Sequence, residues 1–128
     1  MLEGYYKEKE KRREQGLPPL PLNAEQVQAI ADIFENGEDS DELLFLLENE
    51  VPPGVDEAAY VKAAFLKDIA LEHISTNLIT PQKAIQMLGT MLGGYSVEAL
   101  VAVLKENKFG AEVASALQNT ILVYDSFN

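Results

Sequence analysis

The sequence predicts an all-α fold in which helices pair into successive hairpins, and three observations lead to this prediction. Residues that favour helix N-caps recur along the chain, apolar residues follow them at spacings of three and four, and glycine or proline separates the segments. No alternating strand pattern or hairpin dipeptide competes with helix. The predicted starts of the last six helices are Asn23, Ser40, Asp56, Thr80, Ser96 and about Gly110.

The amino-terminal part of the chain is predicted to form a helical arm followed by a connector. A mostly polar helix is expected within residues 1–16, anchored by Leu2, Tyr5 and Tyr6 and ended by Gly16. Three prolines in 17–22 favour an extended connector whose leucines lie along another surface. A proline-rich ligand for a recognition module is the alternative interpretation of this connector.

Residues 23–128 are predicted to form three helical hairpins, so that 1–128 is a single domain of about seven helices. The first helices of the three pairs begin at Asn23, Asp56 and Ser96, which are 33 and 40 residues apart. This spacing is typical of helical-repeat solenoids. The three pairs are not visibly similar in sequence, and a compact irregular bundle is therefore the alternative.

The helix expected between Thr80 and Ser96 has the broadest apolar face and is predicted to be central. Pro81 suits its first turn, and Gly93 with Gly94 is expected to end it. Gly89 lowers helix propensity in the interior, which indicates close approach by a neighbouring backbone. The apolar positions of this face are Ala84, Ile85, Met87, Leu88, Met91 and Leu92.

Charge and hydropathy narrow the classes of partner. The net charge of the chain is −11; residues 1–16 have a net charge of +1, and the remaining residues therefore have −12. An acidic body repels phosphate backbones, which argues against direct nucleic-acid binding. There is no apolar run long enough to span a membrane and no secretory signal pattern, so a cytoplasmic location is the default expectation.

Residues that could perform chemistry are few. The absence of cysteine excludes a thiol nucleophile, a thiolate zinc site and a cysteine-held iron–sulfur cluster within this chain. His73 is the only histidine, and a structural role near a helix C-terminus is expected for it. The acidic residues 38–42 lack the order of a calcium loop and suit a helix start. No catalytic, cofactor-binding or metal-binding residue is predicted.

Four stretches of this sequence closely resemble the amino-terminal region of bacterial aconitase B, also called aconitate hydratase 2. They are MLEGYYKEKEKRREQGLPPLPLNAEQ at the start, VPPGVDEAAYVKA from Val51, TPQKAIQMLGTMLGGYS from Thr80 and ILVYDSF from Ile121. The resemblance covers essentially the whole chain. Its long ungapped stretches are far more specific than any short motif.

The resemblance implies a HEAT-like domain with a right-handed superhelical arrangement. The parent enzyme would interconvert citrate and isocitrate through cis-aconitate in the tricarboxylic acid cycle, using a 4Fe-4S cluster held in later domains. The domain would contact the catalytic domains, a second copy or other proteins, and would shape the approach to the active site. The parent also resembles a bifunctional RNA binder, although this acidic domain is not expected to contact RNA directly.

Two segments are predicted to contact a protein partner: a stiff loop of Pro52, Pro53 and Gly54, and a turn of Gly93, Gly94 and Tyr95. The alternative for both is a purely structural turn. Two other functions remain open: a stand-alone helical-repeat adaptor and a catalytic domain in its own right. The missing cysteines count against the second of these.

Overall fold

The computed structural model describes residues 2–17, 20–52, 56–91, 94–106 and 110–117. Within these ranges the chain is helical and contains no strand, so the predicted all-α class is confirmed. The helices are α1 (Leu2–Glu14), α2 (Ala24–Glu35), α3 (Asp41–Asn49), α4 (Glu57–Ala70), α5 (Pro81–Thr90), α6 (Gly94–Lys105) and α7, described over 110–117.

Four of the predicted N-caps form the expected hydrogen bonds. Asn23 and Gln26 make a reciprocal capping box at α2. The Ser40 hydroxyl accepts a bond from the Leu43 N–H, and the Asp56 carboxylate accepts one from the Ala58 N–H. Thr80 accepts from the Lys83 N–H, with Pro81 in the first turn of α5. These helix starts are therefore encoded locally.

The arm packs onto the body of the fold. Tyr5 is buried, Leu2 and Tyr6 pack against the core, and α1 contacts α2. Only one end of the connector that follows packs against the body of the fold: Leu22 is buried, and its N–H donates to the Glu50 carbonyl at 2.7 Å. Leu17 and Leu20 remain exposed. The expectation that all three leucines lie along a surface therefore holds for Leu22 alone.

The central position belongs to α4 rather than to the helix predicted at 80–96. Helix α4 contacts α2, α5 and α6, and it is buried on several sides because small alanines alternate with large apolar residues. Contacts of α2 with α3 and of α4 with α5 match the first two predicted hairpins. A solenoid arrangement of these hairpins stays a prediction.

The helix expected to begin at Thr80 and to end at Gly93 and Gly94 is shorter in the structure, and the next helix begins earlier than predicted. Helix α5 ends at Thr90, whose hydroxyl donates to the Met87 carbonyl at 2.9 Å, and Met91 is extended with φ −76° and ψ 148°. Gly94 starts α6 instead of ending α5, and Ser96 is a fully buried residue in the first turn of α6 instead of its N-cap. Of the predicted apolar face, Ala84, Ile85, Met87, Leu88 and Met91 are buried, and Leu92 lies outside the described residues.

Candidate protein-contact site

The predicted contact residues fall into two groups. Pro52 is half-buried just after α3, whereas Pro53, Gly54 and Gly93 lie outside the described residues. Gly94 and Tyr95 are the first two residues of α6, so the predicted turn is partly a helix start. Pro52 follows α3 and Tyr95 lies in the first turn of α6, so the two segments remain separate candidates.

Tyr95 packs against Tyr60, an aromatic residue in the first turn of α4. Their ring centroids are 5.2 Å apart with an interplanar angle of 76°, which is the edge-to-face arrangement that aromatic rings favour. The pair joins the first turns of α4 and α6. Tyr95 is half-buried, but 57% of Tyr60 is exposed to solvent, which makes the pair an aromatic ridge on the surface.

The surroundings of Tyr60 are grooved on two sides. A shallow cavity of about 80 Å³ lies between α4 and α6, with Ala63, Ala64 and Ala99 on its floor and Lys67 and Glu98 beside them. A second cavity of about 190 Å³ lies between α2 and α4, beside Glu35 and Asp68. An exposed aromatic ring between two grooves that are apolar at the base and charged at the edge resembles the central anchor residue of a protein–protein interface.

The sequence pattern did not identify Tyr60 as a surface residue. Helix α4 is apolar on almost every face, so helical periodicity could not show which residue reaches solvent. The sequence did offer one signal, the residue type: the hydroxyl group of tyrosine allows its aromatic ring to lie partly exposed to solvent. Its partner on α6 could be found only from the packing of the two helices.

The remaining candidates for chemistry have structural roles. Beyond the end of α4 the backbone N–H of His73 donates to the Asp68 carbonyl at 2.9 Å, and the His73 ring nitrogen Nδ1 lies 3.6 Å from an Asp68 carboxylate oxygen. A helix-end role for the imidazole stays a prediction. Asp41 and Glu42 lie in the first turn of α3, and Asp39 binds backbone N–H groups. Across the described ranges no three His, Asp or Glu side chains are grouped as metal ligands would be, and no helix is long and apolar enough to cross a membrane.

Comparison with known proteins decides the family. The family model described as the aconitate B N-terminal domain matches residues 4–128. The chain belongs to this family. Aconitate hydratase B of Synechocystis sp. is 45% identical over 132 residues, and that of Escherichia coli is 46% identical over 129. The Helicobacter pylori protein of the same name is 43% identical over 133 residues.

Coverage defines what family membership means here. These alignments include 99 to 100% of this chain but only 15% of each relative. The chain therefore corresponds to the N-terminal domain of aconitate hydratase B, and the resemblance found in the sequence is confirmed. The remaining 85% of such a relative lies outside the alignment.

Proposed function

We propose that this chain is a non-catalytic docking domain of an aconitase-B-type enzyme. The parent would interconvert citrate and isocitrate through cis-aconitate, and the domain would hold the catalytic part in place and shape the approach to its active site. Family membership supports the parent assignment. The exposed Tyr60 ring, held edge-on by Tyr95, supports docking and is the observation on which the proposal depends.

The iron–sulfur cluster of the proposed parent does not fit this chain. A 4Fe-4S cluster is held by cysteine thiolates, and the sequence has none. Ligands from outside the chain would have to hold it. The contribution of this domain to the parent enzyme is then positional, and no chemical step is assigned to its residues.

The first partner we assign to the tyrosine ridge is the rest of the same enzyme. The relatives continue for far more residues than this chain contains, so in the proposed parent a large protein surface would be tethered to this domain. Tethering raises the effective concentration of that surface, and a small aromatic contact then suffices to orient the domain. Self-association through the same ridge is the second possibility, and the experiment separates the two.

The test uses the full-length enzyme carrying Tyr60→Ala and Tyr95→Ala together, with Phe45→Ala as the matched control. Phe45 is an exposed aromatic residue on α3 that lines neither groove beside Tyr60. Hydrogen exchange should become faster in the first turns of α4 and α6 only in the tyrosine variant, and KM should change because the approach to the active site is altered. Sedimentation equilibrium reports any loss of self-association.

Four outcomes are distinguished. Faster exchange together with a changed KM and an unchanged oligomeric state supports docking on the rest of the enzyme, and faster exchange with dissociation supports contact between copies. Faster exchange with both KM and oligomeric state unchanged reports only the lost contact between the two rings and counts against docking. Exchange and KM identical to those of the Phe45→Ala control would overturn the docking role of the ridge. An immunoblot for the native product should show a band far above 14.1 kDa, whereas a band at that mass alone would contradict the parent assignment.

A further inference from the structure

Lys62 of α4 is a buried cation in the described part of the chain. Only 6% of the residue is exposed, although neighbouring residues of α4 contribute apolar side chains to the core. Lysine is almost never buried unless it is paired. No hydrogen bond or ion pair joins its ammonium group to another described residue, and the ammonium nitrogen is not fully enclosed, so an ion in solvent can reach it.

Lys62 lines a polar cavity of about 380 Å³ between three helices. Helix α3 contributes Glu48 and Asn49, and α5 contributes Lys83, Gln86 and Thr90. The Lys83 ammonium lies 3.1 Å from a Glu48 carboxylate oxygen, so these two side chains form an ion pair. The three charged groups that face the cavity are thus two cations and one anion, and the net charge of +1 contrasts with −11 for the chain.

Some hydrogen-bonding groups of the cavity are bonded within the protein, whereas others are left to bind a ligand. The Asn49 amide donates to the Phe45 carbonyl at 3.0 Å, and the Thr90 hydroxyl donates to the Met87 carbonyl at 2.9 Å. The donors left facing the cavity are the Lys62 ammonium and the Gln86 amide, with Lys83 shared with Glu48. A ligand that suits this cavity accepts hydrogen bonds and carries negative charge.

We propose that the cavity formed by Lys62, Lys83, Glu48 and Gln86 binds a carboxylate group. One carboxylate balances the single excess positive charge. A phosphate dianion would instead leave one negative charge beside Glu48 in an already acidic protein. Burial lowers the pKa of Lys62 to about 8 against the opposing attraction of Glu48, which shows that Glu48 alone does not compensate the cost of desolvating the ammonium.

The carboxylate has two possible sources with the same chemistry. It belongs either to a free small organic acid or to an Asp or Glu side chain elsewhere in the parent enzyme. The first makes the cavity a small-molecule site, and the second makes it a seat for another segment of the protein. The two sources give different results in the full-length enzyme.

The experiment follows the side-chain carbon signal of Lys62 by NMR in the 128-residue chain during titration with sodium acetate. Acetate should raise the Lys62 pKa by about one pH unit or more, with saturation, because an opposite charge close to the ammonium favours its protonated form. Sodium chloride at the same ionic strength and neutral acetamide should not do so. Lys62→Met identifies the signal, and the Lys67 signal on the other side of α4 serves as the internal control.

Glu48→Gln sharpens the test because it removes the carboxylate that competes for the two lysines. Acetate affinity should rise several-fold in this variant and should be lost in Lys62→Met. A Lys62 that is buried only for packing would respond equally weakly to acetate and chloride in all forms, and that result would overturn the proposal. Circular dichroism of each variant verifies that the helices remain folded.

The full-length enzyme then distinguishes the sources. If a protein side chain occupies the cavity, the Lys62 pKa is already raised there and acetate causes no further change. If the natural ligand is a small acid, Lys62 in the full-length enzyme keeps its lowered pKa and responds to acetate as in the 128-residue chain. A lowered pKa with no acetate response in either form contradicts both sources.

Discussion

Gly89 of α5 lies directly against Ala116 of α7. A Cβ atom built on Gly89 would be 2.9 Å from the Ala116 Cβ and 3.1 Å from its Cα, closer than real side-chain contacts allow. Ala116 cannot retreat by rotating a side chain, because it has only a methyl group fixed to the backbone. The glycine therefore sets the distance between α5 and α7, as the interruption of an apolar helix by glycine indicated in the sequence.

Gly89→Ala should destabilise the fold despite the better helix propensity of alanine. Overpacking costs about 1 to 3 kcal/mol and the better helix propensity of alanine offsets about 1 kcal/mol of it, so a net loss of up to about 2 kcal/mol is expected. Urea denaturation measures the difference. The control is Gly4→Ala in α1, where nothing lies within 4 Å of the added methyl group and stability should stay equal or rise.

Asp39 joins two loops that are distant in sequence. One of its carboxylate oxygens accepts the N–H groups of Asn77 and Leu78, both at 3.0 Å, and so fixes the approach to α5 against the start of α3. Asp39→Ala leaves both donors without this partner. Because hydrogen bonds to charged groups contribute about 1.5 to 3 kcal/mol, a loss of that order is expected in urea denaturation.

Two neighbouring substitutions control for charge and position. Asp39→Asn keeps an acceptor oxygen and should lose less stability than Asp39→Ala. Glu38→Gln alters an exposed carboxylate next to Asp39 and should change the free energy of unfolding very little. Equal losses in Asp39→Ala and Glu38→Gln would show that the two loops are not held together by these bonds.

The sequence predicted those parts of the fold that depend on local chemistry. The caps at Asn23, Ser40, Asp56 and Thr80 involve hydrogen bonds between residues two or three positions apart, so the pattern contains both partners. The end of α5 was misplaced because Gly93 and Gly94 offered a local stop, whereas the helix ends earlier, at Thr90. The Thr90 hydroxyl donates to the Met87 carbonyl and the Met91 N–H to the Leu88 carbonyl, so the last turn is closed before the glycines are reached.

The candidate site was only half visible in the sequence. Tyr95 was identified because it follows a glycine pair next to an apolar helix, a local feature. Its partner Tyr60 lies on a different helix, and the pairing depends on how α4 and α6 are placed side by side. The Lys62 cavity could not be predicted for the same reason, because three helices supply its charged residues.

Lys62 should give the fold a characteristic dependence on pH. Burial lowers the lysine pKa from 10.5 to about 8, so between these values the unfolded chain binds more protons than the folded chain. Stability contributed by this group therefore rises with pH across that window, by up to about 3 kcal/mol at 1.36 kcal/mol per pH unit. Below pH 8 the full cost of burying the ammonium is present.

The difference between the original chain and Lys62→Met isolates this effect. Tyr6 also titrates at high pH, because burial and the hydrogen bond that its hydroxyl donates to Glu42 at 3.0 Å raise its pKa to about 12. Above pH 10 the unfolded chain loses this proton first, so Tyr6 makes the free energy of unfolding fall with pH in both proteins. Chemical denaturation of both proteins at several values between pH 7 and 10 measures the difference. The advantage of Lys62→Met should shrink as pH rises. A constant difference across this range would contradict a charged, buried Lys62.

In the described part of the chain, three helices end in the same Schellman motif, but one of them lacks the usual glycine. At the ends of α1 and α2 the left-handed residues are Gly16 and Gly37, with φ of 73° and 80°. At the end of α4 the position is Glu72, with φ 66°, and its N–H donates to the Ile69 carbonyl while the next N–H donates to Asp68. A side chain with a Cβ is strained in this conformation.

Glu72→Gly should therefore stabilise the chain. Left-handed backbone costs a residue with a Cβ about 1 to 2 kcal/mol, and part of the gain is offset because glycine increases the entropy of the unfolded state, so about 1 kcal/mol is expected. The melting temperature should rise by a few degrees. Glu72→Ala separates charge from backbone: it removes a carboxylate from the negative end of the helix dipole but keeps the Cβ. The backbone explanation also predicts that Gly37→Ala loses stability, because Gly37 has φ 80° and alanine would be strained there. If Glu72→Ala stabilises the chain as much as Glu72→Gly does, the removed charge and not the backbone conformation is responsible.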